Sequence, residues 1–139
     1  MLSKTKILGV GFTTATQDKI LEFLVNESSE NRRYRKTVVF TPNPEQVSAA
    51  ERNKKLQNLL NLAQVSRPDG VGILWAARLL GKPIYARISG VDFMEKLVKS
   101  VSNQPVITGY FGGQEDVAEA TANCLKKKWP KLRVGYASH

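Results

Sequence analysis

Two short segments, Thr41-Pro42-Asn43-Pro44-Glu45 and Pro68-Asp69-Gly70-Val71-Gly72, hold the polar side chains best placed to act on a ligand. Each puts small polar groups where an apolar strand pattern ends and a helix pattern begins. In an open parallel α/β sheet, the crevice outside the carboxyl ends of the strands gathers loop side chains and helix N-termini, so such residues can meet around one anionic substrate. Thr41 and Asn43, two apart in an extended segment, project to the same side as a hydrogen-bonding pair. Asn at an N-cap with Pro at N1 is also a common helix start, and capping does not exclude a ligand contact. Asp69 stands apart from the other aspartates. Asp18, Asp92 and Asp116 fall in the first turns of expected helices, where a negative charge offsets the helix dipole. Asp69 lies beyond a strand, ahead of Gly70-Val71-Gly72, whose bare backbone lets a substrate approach. Pro-Asp-Gly is equally a good turn, and the pattern leaves both readings open.

What the chain lacks narrows the chemistry. It has no Asp-x-Asp to hold a metal-bound diphosphate, and its single histidine, His139, is at the terminus. Ser-His and Cys-His pairs are therefore absent, and neither metal-dependent hydrolysis nor triad chemistry is expected. A departing diphosphate would have to be met by cationic side chains and backbone N–H groups, for which Arg78, Arg87 and the Gly112-Gly113 turn are candidates. Arg87 reads equally well as a surface ion-pair residue. Gly9-Val10-Gly11 after a strand suggests a dinucleotide fingerprint, but Thr14 replaces the third glycine and no acidic ribose contact follows the second strand. The glycines are better explained by close packing.

Strand and helix patterns alternate from end to end, as in a mainly parallel sheet covered by helices. Lys6 to Phe12 reads as the first strand and its exit, followed by a helix facing inward through Ile20, Leu21, Phe23 and Leu24. Strands are expected at Val38 to Phe40, Ala63 to Ser66, Pro105 to Phe111 and from Leu132. Between them lie helices around Val47 to Ala50 and Leu56 to Leu62, and a largely apolar one from Val71 to Leu80 ended by Gly81. Asp92 and Glu95 have the spacing of a capping pair opening a further helix. A last helix carries Val117, Ala120, Cys124 and Leu125 inward. About five strands and five or six helices result, in a single domain over residues 1–139.

Composition sets the class. The 139 residues, 42% hydrophobic, suffice for one domain with a core. A formal net charge of +9 favours anionic partners. The lone Cys124 rules out an intrachain disulfide and reads as a buried thiol in a reducing compartment. No signal-peptide core or membrane span appears, which predicts a cytoplasmic protein. The cluster Lys126-Lys127-Lys128-Trp129-Pro130-Lys131 reads as a helix end favouring the dipole, or as a contact with anionic lipid. Nucleic acid is not an expected partner, because the basic residues are scattered and no recognition motif accompanies them.

Taken in order, Ile7-Leu8-Gly9-Val10, Thr41-x-Asn43-Pro44-Glu45, Pro68-Asp69-Gly70-Val71-Gly72, Ala76-Ala77-Arg78-Leu79-Leu80-Gly81, Arg87-Ile88-Ser89-Gly90-Val91-Asp92 and Gly112-Gly113 with Val117-Ala118 resemble the WecG/TagA/CpsF family of bacterial glycosyltransferases. The resemblance implies a Rossmann-like open sheet with helices on both faces. It also implies metal-free, inverting transfer of an N-acetylmannosamine-type sugar from a UDP donor to a polyprenyl-diphosphate-linked acceptor, without a cofactor, in teichoic acid or other surface polysaccharide synthesis. Carried over by motif, Asp69 is the general base, Thr41 and Asn43 bind substrate beside it, and Arg87 holds the anionic donor or acceptor. Gly70, Gly72, Gly112 and Gly113 join them as substrate-binding positions. Two departures stand out. The chain reads Thr13-Thr14-Ala15-Thr16 where the family commonly has an acidic residue near the loop, and the further sheet and basic C-terminal segment through which members continue past a point like Tyr136 are not expected in these residues. The second departure makes a non-catalytic or incomplete nucleotide-sugar-binding module the alternative function. It also predicts self-association, and the resemblance places the protein peripherally at the inner face of the cell membrane.

Overall fold

The computed structural model describes residues 2–28, 36–84 and 89–139. The chain begins with strands β1 (Lys4–Ile7) and β2 (Val10–Thr13), which pair antiparallel with Ile7 opposite Val10. The single strand expected over Lys6 to Phe12 is therefore a hairpin. Its turn is Leu8-Gly9, with φ of 47° and 82°; two successive positive φ values give the turn whose twist matches that of the flanking strands. An apolar residue in the left-handed region is uncommon, and this hides the turn in an apolar run. Gly9 and Gly11 serve packing. The Gly11 N–H donates to Asn61 Oδ1 (2.9 Å), and Asn61 Nδ2 donates to the Gly9 carbonyl (2.9 Å).

Helix α1 (Gln17–Glu27) follows, then β3 (Val39–Phe40), α2 (Pro44–Arg52), α3 (Lys54–Asn61), β4 (Val65–Ser66) and α4 (Val71–Leu79). Strands β3 and β4 pair in parallel, Val39 beside Val65 and Phe40 beside Ser66. Period-2 alternation sends these residues to opposite faces. Val39 and Val65 join Ile20 and Leu24 of α1 and Phe93 in one apolar cluster. Phe40 packs against the other, formed by Ile7, Val10 and Phe12 of the hairpin with Val47, Ala50, Leu60, Ile73 and Ala77 from α2, α3 and α4. The pair thus has helices on both faces. A buried hydrogen bond from the Ser66 N–H to Thr13 Oγ1 (3.0 Å) brings β2 alongside β4.

The chain continues through α5 (Gly90–Val101), β5 (Ile107–Phe111), α6 (Val117–Lys128) and β6 (Arg133–Ser138). Strands β5 and β6 pair in parallel around an irregularity at Thr108/Gly109. Val98 of α5, Leu125 of α6 and Leu132 form a third cluster with Tyr110 and Val134 packed on it. Among the described residues the strands therefore form three two-stranded sheets, two of them parallel, and not one sheet of five strands. The mixed α/β class holds.

Local signals explain where helices begin and end. Gly81, at φ 62°, ends α4, with Lys82 N–H donating to the Ala77 carbonyl (2.8 Å) and Gly81 N–H to that of Arg78 (3.2 Å), a left-handed glycine stop. Helix α5 starts earlier than the Asp92 and Glu95 pattern predicts. Ser89 is its N-cap, accepting from Asp92 N–H at 3.1 Å, so Asp92 lies inside the first turn. On α6 the inward residues are Ala118, Ala122 and Leu125; Val117, Ala120 and Cys124 are exposed. The Cys124 thiol expected in the core is at the surface, because it lies on the side of α6 turned away from the buried stripe Ala118, Ala122 and Leu125.

Candidate active site

The β3–β4 register does not stop where the regular strands do. Val65 N–H donates to the Val38 carbonyl (3.2 Å), Arg67 N–H to that of Phe40 (2.9 Å) and Asp69 N–H to that of Pro42 (3.1 Å). Parallel pairing thus runs on for three more residue pairs, Thr41 beside Arg67, Pro42 beside Pro68 and Asn43 beside Asp69. The regular ladder ends at Phe40 because the next donor on that strand falls at Pro42, which has no N–H. Pro42 and Pro68 are fully buried on the face that Phe40 and Ser66 share. Alternation sends Thr41, Asn43, Arg67 and Asp69 to the opposite face, in line with Val39 and Val65 and toward the starts of α1 and α5.

Three helix N-termini close around this square. Asn43 is the N-cap of α2: its Oδ1 accepts from Gln46 N–H (2.8 Å) while Gln46 Oε1 accepts from Asn43 N–H (3.0 Å), a reciprocal box with Pro44 in the first turn. Its amide nitrogen is not used by the cap. Helix α4 starts at Gly70, whose φ is 107°, with no side chain capping its first N–H groups. A Cβ on Gly72 would lie 2.9 Å from Pro44 Cγ and one on Gly70 3.1 Å from Pro44 Cδ. The two glycines therefore let Pro44 seat the start of α2 against the start of α4. Gly90, the first residue of α5, sits against Thr41, where an added Cβ would lie 3.0 Å from Thr41 Oγ1. Uncapped N–H groups and aligned peptide dipoles favour an anion there.

Arg67 is the member that sequence reasoning missed. It is 5% exposed, its Nη1 donates to the Ala15 carbonyl (3.1 Å) just before α1, and its Nε has no acceptor. Among the described residues no carboxylate pairs with it. Burial pushes its pKa below the ordinary arginine value. The signal is the alternation Val65, Arg67, Asp69, which carries the strand's inward face past Ser66, where the apolar pattern stops.

The other expected site residues divide. Gly112 and Gly113, with φ of 99° and 88°, end β5, where Gly112 N–H donates to the Ser138 carbonyl (3.0 Å) and Gly113 packs on Val117. They belong to the β5–β6 sheet, and no hydrogen bond among the described residues joins them to the square. Arg78 is exposed over the Trp75 ring, 5.8 Å from its centroid. Arg87 lies outside the described residues. An open groove of about 680 Å³ runs from Ser89 along α5, past Lys96 and Lys99, to Lys128 and Trp129 at the end of α6. The described residues hold no cluster of three metal-ligating side chains. None of their helices is long and apolar enough to cross a membrane.

In this α/β fold polar loop residues and helix N-termini gather beyond a pair of parallel strands, and the chain belongs to the glycosyl transferase WecG/TagA/CpsF family, whose model matches residues 5–139. Among curated proteins it is similar to the N-acetylglucosaminyldiphosphoundecaprenol N-acetyl-beta-D-mannosaminyltransferases of Staphylococcus aureus strains NCTC 8325 / PS 47 and COL. Each is 30% identical over 143 residues, which cover 99% of this chain and 53% of the relative. The chain thus spans about half the length of these curated relatives.

Proposed function

We propose that this chain carries the catalytic carboxylate and the diphosphate-binding crevice of an inverting, metal-independent glycosyltransferase. It moves an N-acetylmannosamine-type sugar from a UDP donor to a polyprenyl-diphosphate-linked acceptor in teichoic acid or related surface polysaccharide synthesis. The observation that carries this reading is the extended parallel register, which sets Asp69 beside Asn43 and next to the uncapped start of α4. Asp69 takes the proton from the acceptor hydroxyl as its oxygen attacks the anomeric carbon. The bond from that carbon to the β-phosphate oxygen breaks, and UDP leaves with the electron pair on the opposite side, which inverts the configuration. The helix N-termini of α2, α4 and α5 stabilise the charge that builds on the leaving diphosphate. Thr41 and the Asn43 amide nitrogen hold substrate hydroxyl or phosphate oxygens beside the base, and Arg87 adds a cation.

The same reading takes β2, β4 and β3 as neighbouring strands of one Rossmann-like sheet, on the strength of the Thr13–Ser66 hydrogen bond. It brings Lys126, Lys127, Lys128 and Lys131, exposed around Trp129, to an anionic membrane face where the lipid-linked acceptor resides. Gly112 and Gly113 approach the ligand only if it extends to the β5–β6 sheet. The exposed apolar face of that sheet, Ile107, Phe111 and Tyr136, suits self-association.

The test is sugar transfer from radiolabelled UDP-N-acetylmannosamine to a polyprenyl-diphosphate-linked N-acetylglucosamine acceptor, with and without EDTA. The expected product is a β-linked disaccharide formed equally in both conditions. UDP binding without turnover under the same conditions would instead assign a nucleotide-sugar-binding module.

A further inference from the structure

We propose that Arg67 is a diphosphate ligand of this site, the cation that meets the phosphate charge from within the crevice. The inference rests on the glycosyltransferase reading above and goes beyond it by naming a residue that lies outside the matching motifs. Four observations converge on Arg67. Its side chain is 5% exposed, so its charge has been taken out of water. Its Nε is buried with no acceptor, and among the described residues the hydrogen-bond partner of its guanidinium is a neutral carbonyl, that of Ala15. Among the described residues no carboxylate offsets its charge. The Arg67 and Asp69 N–H groups donate to the carbonyls of Phe40 and Pro42, which fixes Arg67 beside Thr41, two residues behind the Asn43 and Asp69 pair on the same face.

A buried cation is retained at the expense of solvation, and such groups are normally paired with a counter-charge. An arginine kept only to pin the loop before α1 would need the Nη1 bond to Ala15 and nothing more, and an uncharged amide donor could make that bond. The planar fork offers Nε–H and a second edge of donors in the geometry that matches two phosphate oxygens, which a lysine cannot reproduce. Asp69 cannot be the intended partner of the fork in the folded protein, since the two side chains, although on one face, form no ion pair. A guanidinium behind the base, together with the uncapped start of α4, divides the crevice into a carboxylate for the acceptor hydroxyl and a cationic wall for the diphosphate. Both donor and acceptor contain a diphosphate, and the chemistry recognised is common to the two.

The experiment is calorimetric titration of the wild-type chain, Arg67→Met and Arg67→Lys with UDP, uridine, pyrophosphate and geranyl diphosphate. Losing a charge-assisted hydrogen-bonded pair predicts that Arg67→Met weakens UDP binding about 10–100-fold and leaves uridine unchanged. Arg67→Lys falls between. A loss confined to geranyl diphosphate would assign Arg67 to the acceptor's diphosphate, and a loss confined to UDP to the donor's. If the wild type binds pyrophosphate through Arg67 but not UDP, the anion site stands and the nucleotide-sugar reading fails. If the wild type binds UDP and Arg67→Met binds it equally well, Arg67 is only a clamp on Ala15 and this inference is overturned while the reading of the site survives. Binding of no diphosphate by the wild type overturns both. Should Arg67→Met not fold, the Nε–H resonance of the wild-type arginine, identified by its absence in Arg67→Lys, is followed during UDP addition. A shift that saturates with UDP supports the proposal, and an unmoved resonance in a UDP-binding protein refutes it.

Discussion

Asn43 has two jobs in this account, and substitution can separate them. As N-cap of α2 its Oδ1 accepts from Gln46 N–H at 2.8 Å, and Gln46 answers through its own side chain at 3.0 Å. As a substrate ligand it uses the amide nitrogen that the cap leaves free. Asn43→Ala removes both. Losing an N-cap acceptor destabilises by about 0.5–2 kcal/mol, and because the reciprocal box bonds are solvent-exposed a value near ~1 kcal/mol is expected. For a chain of this size that lowers Tm by roughly 3–5 °C. Asn43→Ser keeps a capping oxygen of nearly equal strength and deletes the amide donor, so its Tm should stay within about 1 °C of wild type. Donor affinity should fall in both variants, by about 5–10-fold for one lost hydrogen bond. Thermal unfolding and UDP titration on the three proteins give the answer. The reasoning is refuted if Asn43→Ser loses as much stability as Asn43→Ala, or if it binds UDP as tightly as wild type.

Two further substitutions probe the frame of the site. Gly72→Ala places a methyl 2.9 Å from Pro44 Cγ, so the starts of α2 and α4 must part; overpacking of about 1–3 kcal/mol outweighs the ~1 kcal/mol helix-propensity gain, and urea unfolding should show a net loss. Thr13→Val keeps the shape of a fully buried residue but strands the Ser66 N–H, and should destabilise by about 1–3 kcal/mol in the same assay.

Much of the architecture is legible in the sequence because periodicity and punctuation agree. Asn43-Pro44 as a helix start, Gly81 as a stop and the short strands at Val39 and Val65 all occur as expected. That Thr41 and Asn43 share a face is legible as well, since they are two apart in an extended segment, whereas the place of Asp69 beside Asn43 comes from the parallel register. Arg67 is not, because an arginine before proline reads as loop, and only the parallel register continuing past Ser66 shows that it is an inward position. The hairpin at Leu8-Gly9 is hidden because leucine seldom takes positive φ, so the apolar run looks unbroken. Cys124 is misplaced by sequence reasoning because an apolar stripe one residue out of phase on α6 is hard to tell from the true one, where Ala118 and Ala122 are the inward residues. How short strands group into sheets depends on side-by-side pairing that no local pattern records.

If Asp69 is the base of a transfer reaction in this crevice, Asp69→Asn removes the chemistry and leaves the binding. The substitution keeps size and hydrogen-bonding capacity while removing the group that accepts the proton. Initial rates of N-acetylmannosamine transfer should fall about 10²–10⁴-fold with UDP affinity and Tm unchanged. Transfer at the wild-type rate by Asp69→Asn would contradict the account.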